Sequence, residues 1–174
     1  RLAQLLARLR GIISVAAYEY ESETGERKQV AHYSYPVIEL PDRAALMLYN
    51  LARGHVLIQG RTQISKQDLP LLIEVALSSA PQDRVQAFEL LLKDDKPITA
   101  RRLEKELNYS RDSAYRTMKT LDILQLATLS QMQEKGVTEN FVTIKPDLEW
   151  FQSEEFQKLR SQKPWKLEDY AQSR

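Results

Sequence analysis

The sequence predicts a mainly α-helical chain with small β-hairpins, an α+β class, and three observations carry that prediction. Apolar residues recur at helical spacing along much of the 174 residues, as in Leu2, Leu5, Leu6 and Leu9, or Ala114, Met118, Leu121 and Leu124. Two stretches instead read as strands around a glycine turn, "SVAAYEYESETGERKQVAHYSYPVIEL" and "ATLSQMQEKGVTENFVTIK". The apolar fraction is 43%, enough for a core, and only 5 Gly and 7 Pro argue against low complexity.

In chain order, the leucines at the start give an amphipathic helix over residues 1 to about 12. A β-hairpin follows, with strands near 14–22 and 29–39 around Thr24-Gly25, polar on one face and aromatic on the other. Tyr18, Tyr20, Tyr33 and Tyr35 alternate along it, which points to cross-strand packing. A platform stacking on single-stranded nucleic acid is the sharper, lower-ranked alternative.

From Pro41 to Gly60, Ala44, Leu48, Leu51, Ala52, His55 and Ile58 mark one helix face, while Leu46, Met47 and Tyr49 are apolar elsewhere. A helix apolar most of the way round is expected to be buried. Pro41 suits its first turn and Gly60 its C-terminal cap. Ser65 and Asp68 resemble a capping box that opens a further apolar helix, with Pro70 close enough to the first turn to be tolerated.

After Pro81 come four short elements. Val85, Phe88, Leu91 and Leu92 share a helix face, and Leu103 and Leu107 share another, with Thr99 as N-cap. Asn108, Tyr109 and Ser110 then break the chain, and Ser110 caps a third helix. Two strands around Lys135-Gly136 follow. "DLEWFQSEEFQKLR" reads as a closing helix carrying Trp150, Phe151, Phe156 and Leu159. The expected organisation is a helical module at 1–80 with the hairpin at about 14–39 inserted, a second module at 81–160, and a flexible tail at 161–174.

Composition excludes several functions. Net charge is +1, from 25 Lys+Arg against 24 Asp+Glu, so a nucleic-acid surface must come from local placement. There is no Cys, which removes disulfides, zinc ribbons and thiol catalysis and fits a reducing, cytoplasmic setting. His32 and His55 are the two histidines, too few for an expected metal site, and His55 reads as a satisfied core imidazole. Asp94-Asp95, beside Lys93 and Lys96, reads as a solvated turn rather than a catalytic acid pair. The stretch "LAQLLARLRGIISVAA" is interrupted by Arg8 and Arg10 and is too short to span a bilayer. The chain begins at Arg1 rather than Met, which suggests an excised fragment.

Three helices and a two-stranded hairpin form the winged-helix order. A three-residue break makes consecutive helices cross steeply and holds the second out from the body, free to enter a major groove. The outward residues are Ser110, Arg111, Asp112, Ser113, Tyr115, Arg116 and Lys119, with Lys135 in the wing. Arg reads guanine edges, and Ser, Tyr and Lys reach phosphates. The stretch "ITARRLEKELNYSRDSAYRTMKTLDILQLATL" resembles the winged helix-turn-helix family of transcription regulators, over about residues 83–146. That resemblance implies binding of double-stranded DNA. Two features depart from it. Gln125 stands where a Gly usually precedes the wing, and residues 97–146 hold eight Lys+Arg against six Asp+Glu, a thin phosphate footprint. The alternative is a winged helix that docks a protein partner or forms a homo-oligomer.

The stretch "LPDRAALMLYNLARGHVLIQGRTQISKQDLPLLIEVAL", about residues 41–80, resembles the helical lid of AAA+ ATPases. The resemblance implies that Arg43 reaches back to nucleotide phosphates, and it matches Gly60, Arg61, Ile64 and Asp68 to the family's ending. The plain alternatives are a solvated or carboxylate-paired Arg43 and an Arg61 that bonds helix carbonyls. The chain has no G-x-x-x-x-G-K-[ST] loop, so it is not expected to be an enzyme by itself. No cofactor is expected in this chain; ATP and Mg enter only if an ATPase core lies upstream.

Overall fold

The computed structural model describes residues 1–21, 24–93, 96–134 and 137–162. The Lys135-Gly136 turn, Lys135 as a wing contact, Asp94-Asp95 and most of the expected tail lie outside the described residues.

The elements run α1 (Leu2–Leu9), β1 (Val15–Glu21), β2 (Arg27–Tyr33), α2 (Pro41–Ile58), a 3-10 turn (Lys66–Asp68) and α3 (Leu69–Ser78). They continue as α4 (Gln82–Lys93), β3 (Ile98–Thr99), α5 (Ala100–Leu107), α6 (Arg111–Ile123), β4 (Ala127–Glu134) and β5 (Val137–Ile144). A 3-10 turn (Pro146–Gln152) and α7 (Glu154–Ser161) close the chain. The class is mixed α and β, with two small antiparallel sheets: β1-β2, and a second with strand order β3-β5-β4.

The larger core joins Leu5 and Leu9 of α1 and Ile73 and Leu77 of α3 to α4, α5, α6 and the second sheet. A smaller core holds Leu6 of α1 against Ala44, Leu48 and Ala52 of α2 and Leu72 of α3. Helix α1 therefore feeds both, each fully buried leucine contributing about 1.5–3 kcal/mol. Arg84 ties the halves further by donating from Nη1 to the carbonyls of Leu9 and Gly11, at 3.0 and 2.6 Å.

Four expectations change. Helix α2 is not buried all round. Its Ala44, Leu48, Ala52, His55 and Val56 face inward, but Leu46, Met47, Tyr49, Leu57 and Ile58 are exposed. The reason is that α2 packs on α1 and α3 along one side, and among the described residues no core cluster covers the other. Strand β2 begins at Arg27 and ends at Tyr33, after which the Ser34 amide bonds the Ser14 carbonyl at 2.9 Å and Ile12 and Val37 form an isolated bridge. Helix α1 stops at Leu9, and just beyond it Gly11 passes close to the end of α6: a Cβ there would lie 2.5 Å from Leu124 Cδ2. The closing helix breaks at Ser153, whose Oγ caps α7 by accepting from Phe156 N at 3.3 Å. Phe151 and Phe156 stay buried across the break, packed edge-on with ring centroids 5.0 Å apart.

Strand β3 is an addition. Two residues leave no periodicity to read, yet Ile98 pairs with Val142 and Thr99 with Phe141, placing β5 at the centre of the sheet. Thr99 is also the N-cap of α5, as expected, accepting from Arg102 N at 3.4 Å.

Candidate nucleic-acid interface

The break between α5 and α6 follows from its residues. Asn108 ends α5 in the left-handed region, φ 54°, a conformation Asn tolerates better than most non-glycine residues. Ser110 is extended and its Oγ accepts from Ser113 N at 3.2 Å. The two hydroxyls of Ser110 and Ser113 also meet at 2.9 Å, so both serines first serve the cap.

Helix α6 then presents two sides. Ala114, Met118, Leu121 and the adjoining Leu124 are fully buried, the stripe expected from spacing, and Thr117 joins them. Arg111, Asp112, Ser113, Tyr115 and Arg116 are exposed. Neither Arg111 nor Arg116 has an ion pair among the described residues. Asp122 accepts from Leu129 N at 3.2 Å and pins the start of β4.

Lys119 differs from its neighbours. It is half-buried, and its Nζ stands 4.7 Å from the centroid of the Tyr33 ring on β2. Tyr33 lies on the hairpin face opposite Tyr18 and Tyr20, since it pairs with Val15 while Tyr18 pairs with Val30. The aromatic residues are therefore split between faces. Burial raises the Tyr33 phenol above its ordinary range, Arg116's charge opposes this, and Tyr115 adds to it. Tyr18 and Tyr20 remain about half exposed, and Tyr18 meets the His32 ring at 5.9 Å.

The far end of α6 is clamped. Gln125 adopts φ 60°, the left-handed conformation expected of the missing glycine. Arg8 reaches it from α1, donating from Nη1 to the Gln125 carbonyl at 2.8 Å and from Nη2 to Asp147 Oδ2 at 2.5 Å. The Arg8 hydrogen bond, helped by its charge, holds the Asp147 carboxyl below the ordinary range.

Near its other end, α6 borders a groove of about 320 Å³. Arg101 and Glu104 of α5, Arg111, Asp112 and Tyr115 of α6, and Thr138, Glu139 and Asn140 of β5 line it. Arg101, Glu139 and Asn140 were not singled out by the sequence, since the pairing of β3 with β5 sets Glu139 and Asn140 beside the start of α5, where Arg101 lies.

The lid-like half arranges its marked residues differently. Arg43 lies exposed in the first turn of α2, beside a shallow groove it lines with Arg10, Glu39 and Met47. Among the described residues the Arg61 side chain does not bond helix carbonyls as its plain alternative expected: its guanidinium binds both carboxylate oxygens of buried Asp68 and the side chain of Gln59. His55, buried, places Nδ1 2.7 Å from Asp68 Oδ1 and Nε2 2.9 Å from Gln59. The capping box is present, with Asp68 accepting from Ser65 N at 2.8 Å. Burial works to raise the Asp68 pKa, but these hydrogen bonds outweigh it, Arg61's above all, and hold it at about 2. Gly60 caps α2 at φ 67°, and the Arg61 amide returns to the Val56 carbonyl at 2.9 Å.

Among the described residues no group of three or more His, Asp or Glu is arranged to hold a metal ion. No described helix is long and apolar enough to cross a membrane. No protein-family model, curated protein or solved structure matches the chain.

Proposed function

We propose that the chain binds double-stranded DNA through a winged helix-turn-helix made of α4, β3, α5, α6, β4 and β5, with α6 as the recognition helix. One observation carries the reading. The N-terminal half of α6 stands exposed, with Arg111 and Arg116 unpaired among the described residues, after a three-residue break and ahead of a hairpin. Two unpaired guanidinium groups, five residues apart at the two edges of the exposed side of one helix, are suited to base edges or phosphates. The contact set is Ser110, Arg111, Ser113, Tyr115, Arg116 and Lys119, the serines contributing only what their cap bonds leave over.

The test is fluorescence anisotropy of a labelled duplex over a salt series. Each neutralised phosphate steepens the log–log salt slope by about 0.9. Arg111→Ala/Arg116→Ala should weaken binding at least about tenfold while circular dichroism stays unchanged. Absence of binding to any duplex at low salt defeats the proposal.

A second reading rests on α2. Leu57 and Ile58 are 70% and 66% exposed, and with Leu46, Met47 and Tyr49 at the other end of α2 they leave apolar residues open on the side of the helix away from α1 and α3, with exposed Asn50 and Arg53 between the two groups. That face fits the lid resemblance, in which an ATPase core would cover it and Arg43 would sense nucleotide. Detection of a phosphate-binding loop in the reading frame upstream of Arg1 would support it.

A further inference from the structure

The groove between α5, α6 and β5 carries more than a phosphate-binding surface needs. Arg101 and Arg111 contribute two cations to it, but Glu104, Asp112 and Glu139 contribute three carboxylates. Two oxygens of β5 residues in its wall, Glu139 Oε1 and Asn140 Oδ1, are shielded from solvent and have no hydrogen-bond partner among the described residues. Arg101 Nε stands 3.9 Å from Glu139 Oε1, too far for a hydrogen bond. A shielded acceptor without a donor is costly, and native structures keep few of them.

The charge pattern narrows what could supply the donors. Three carboxylates disfavour an isolated anion, and two guanidinium groups disfavour an isolated cation. A nucleotide answers both conditions, because its phosphates suit the arginines while a base edge offers amino donors. The bases with an exocyclic amino group on the major-groove edge are cytosine and adenine, whose usual partners are a carboxylate and a side-chain amide. Arg101 is largely exposed, so its guanidinium is able to leave Glu139 for a phosphate as a base enters.

We infer that Glu139 and Asn140 are specificity-determining residues that accept from the amino group of a cytosine or adenine entering this groove beside Arg111. The inference rests on the duplex-binding reading above and assigns β5 a part in base recognition.

Selection from a randomised duplex library, with the intact chain, tests it. Wild type should enrich a G·C pair whose cytosine faces Glu139, or an A·T pair whose adenine faces Asn140, at one or more positions. Glu139→Ala should lower a G·C preference and Asn140→Ala an A·T preference about tenfold, the size of one good base contact, in variants checked for an unchanged circular dichroism spectrum. Their affinity for an unrelated duplex at low salt should stay within about threefold of wild type. Unchanged preferences in both variants overturn the inference, as does a wild type that binds duplex without base preference. Both of those outcomes leave duplex binding intact. A wild type that binds no duplex at low salt defeats the underlying reading as well.

Discussion

The ammonium of Lys119 lies over the ring of Tyr33, 4.7 Å from its centroid, and this contact joins the hairpin β1-β2 to the outward side of α6. Every residue of β1 is exposed, so the hairpin has little other packing to hold it. A two-stranded hairpin alone is at best marginally stable. Tyr33→Leu should therefore lower stability by about 1 kcal/mol, the scale of a partly desolvated cation–π contact. Tyr33→Phe keeps the ring and should be near neutral. Urea unfolding of both variants checks this, and equal losses would show that the ring–cation contact is not what matters.

The same tyrosine has a pH signature. Burial raises its pKa, with Arg116 opposing and Tyr115 adding. A group whose folded pKa is raised contributes stability that is present below the unfolded value of 10.0 and lost as pH rises through the folded value. In a spectrophotometric titration of the folded chain, the phenolate absorbance that Tyr33→Phe removes should rise above pH 10.0. A difference signal centred at or below that value would contradict the burial.

Asp68 titrates in the opposite sense. Burial would raise it, but Arg61, the Ser65 amide and His55 bring the folded pKa to about 2 from an ordinary 3.8. Its contribution is complete above pH 3.8 and is lost as pH falls toward about 2. The shift corresponds to about 2 kcal/mol. Asp68→Asn, which leaves Arg61 and His55 without their carboxylate, should cost about 3 kcal/mol at pH 6 and much less at pH 2.5. Denaturant unfolding at the two pH values measures the difference, and a pH-independent loss would rule out the charge as its source.

Gly11 offers a test of packing. A Cβ at this position would sit 2.5 Å from Leu124 Cδ2 and 3.1 Å from the Arg8 carbonyl. Gly11→Ala should cost about 1–3 kcal/mol through overpacking. Adding Leu124→Val should recover part of the loss, because it shortens the side chain that the new methyl meets. Strictly additive losses in the double-mutant cycle would show that the two positions do not share the strain.

What the sequence revealed followed the range of the interactions involved. The stripe Ala114, Met118, Leu121 and Leu124, the caps at Thr99 and Ser110 and the capping box at Ser65 and Asp68 are set by neighbours a few residues away, and all are present. The open face of α2 was misread because apolar composition says nothing about which side meets a partner. Arg8 was read only as an interruption of an apolar run, yet it binds Gln125 and Asp147 far along the chain. The groove was invisible for the same reason, since sheet pairing sets Glu139 and Asn140 beside the start of α5. Tyr33 was assigned to the aromatic face, and only the register Val15–Tyr33 turns it toward Lys119.

Gln125 supplies the last prediction. It occupies the left-handed region at φ 60° just past α6, where the Leu126 amide returns to the Leu121 carbonyl at 2.8 Å. For a residue with a Cβ that conformation costs about 1–2 kcal/mol, and glycine adopts it without the penalty. Gln125→Gly gives up one side-chain bond, from Nε2 to the Asp122 carbonyl at 3.2 Å, which is exposed and of little weight. It keeps the carbonyl that Arg8 binds. Glycine's greater freedom in the unfolded chain returns part of the gain, about 0.5–1 kcal/mol. The variant should thus be as stable as wild type or up to about 1 kcal/mol more stable, whereas Gln125→Val, β-branched at positive φ, should be clearly less stable. Thermal unfolding of the three chains gives the order Gly, Gln, Val from most to least stable, and a valine variant equal to wild type would mean that α6 does not end in this cap.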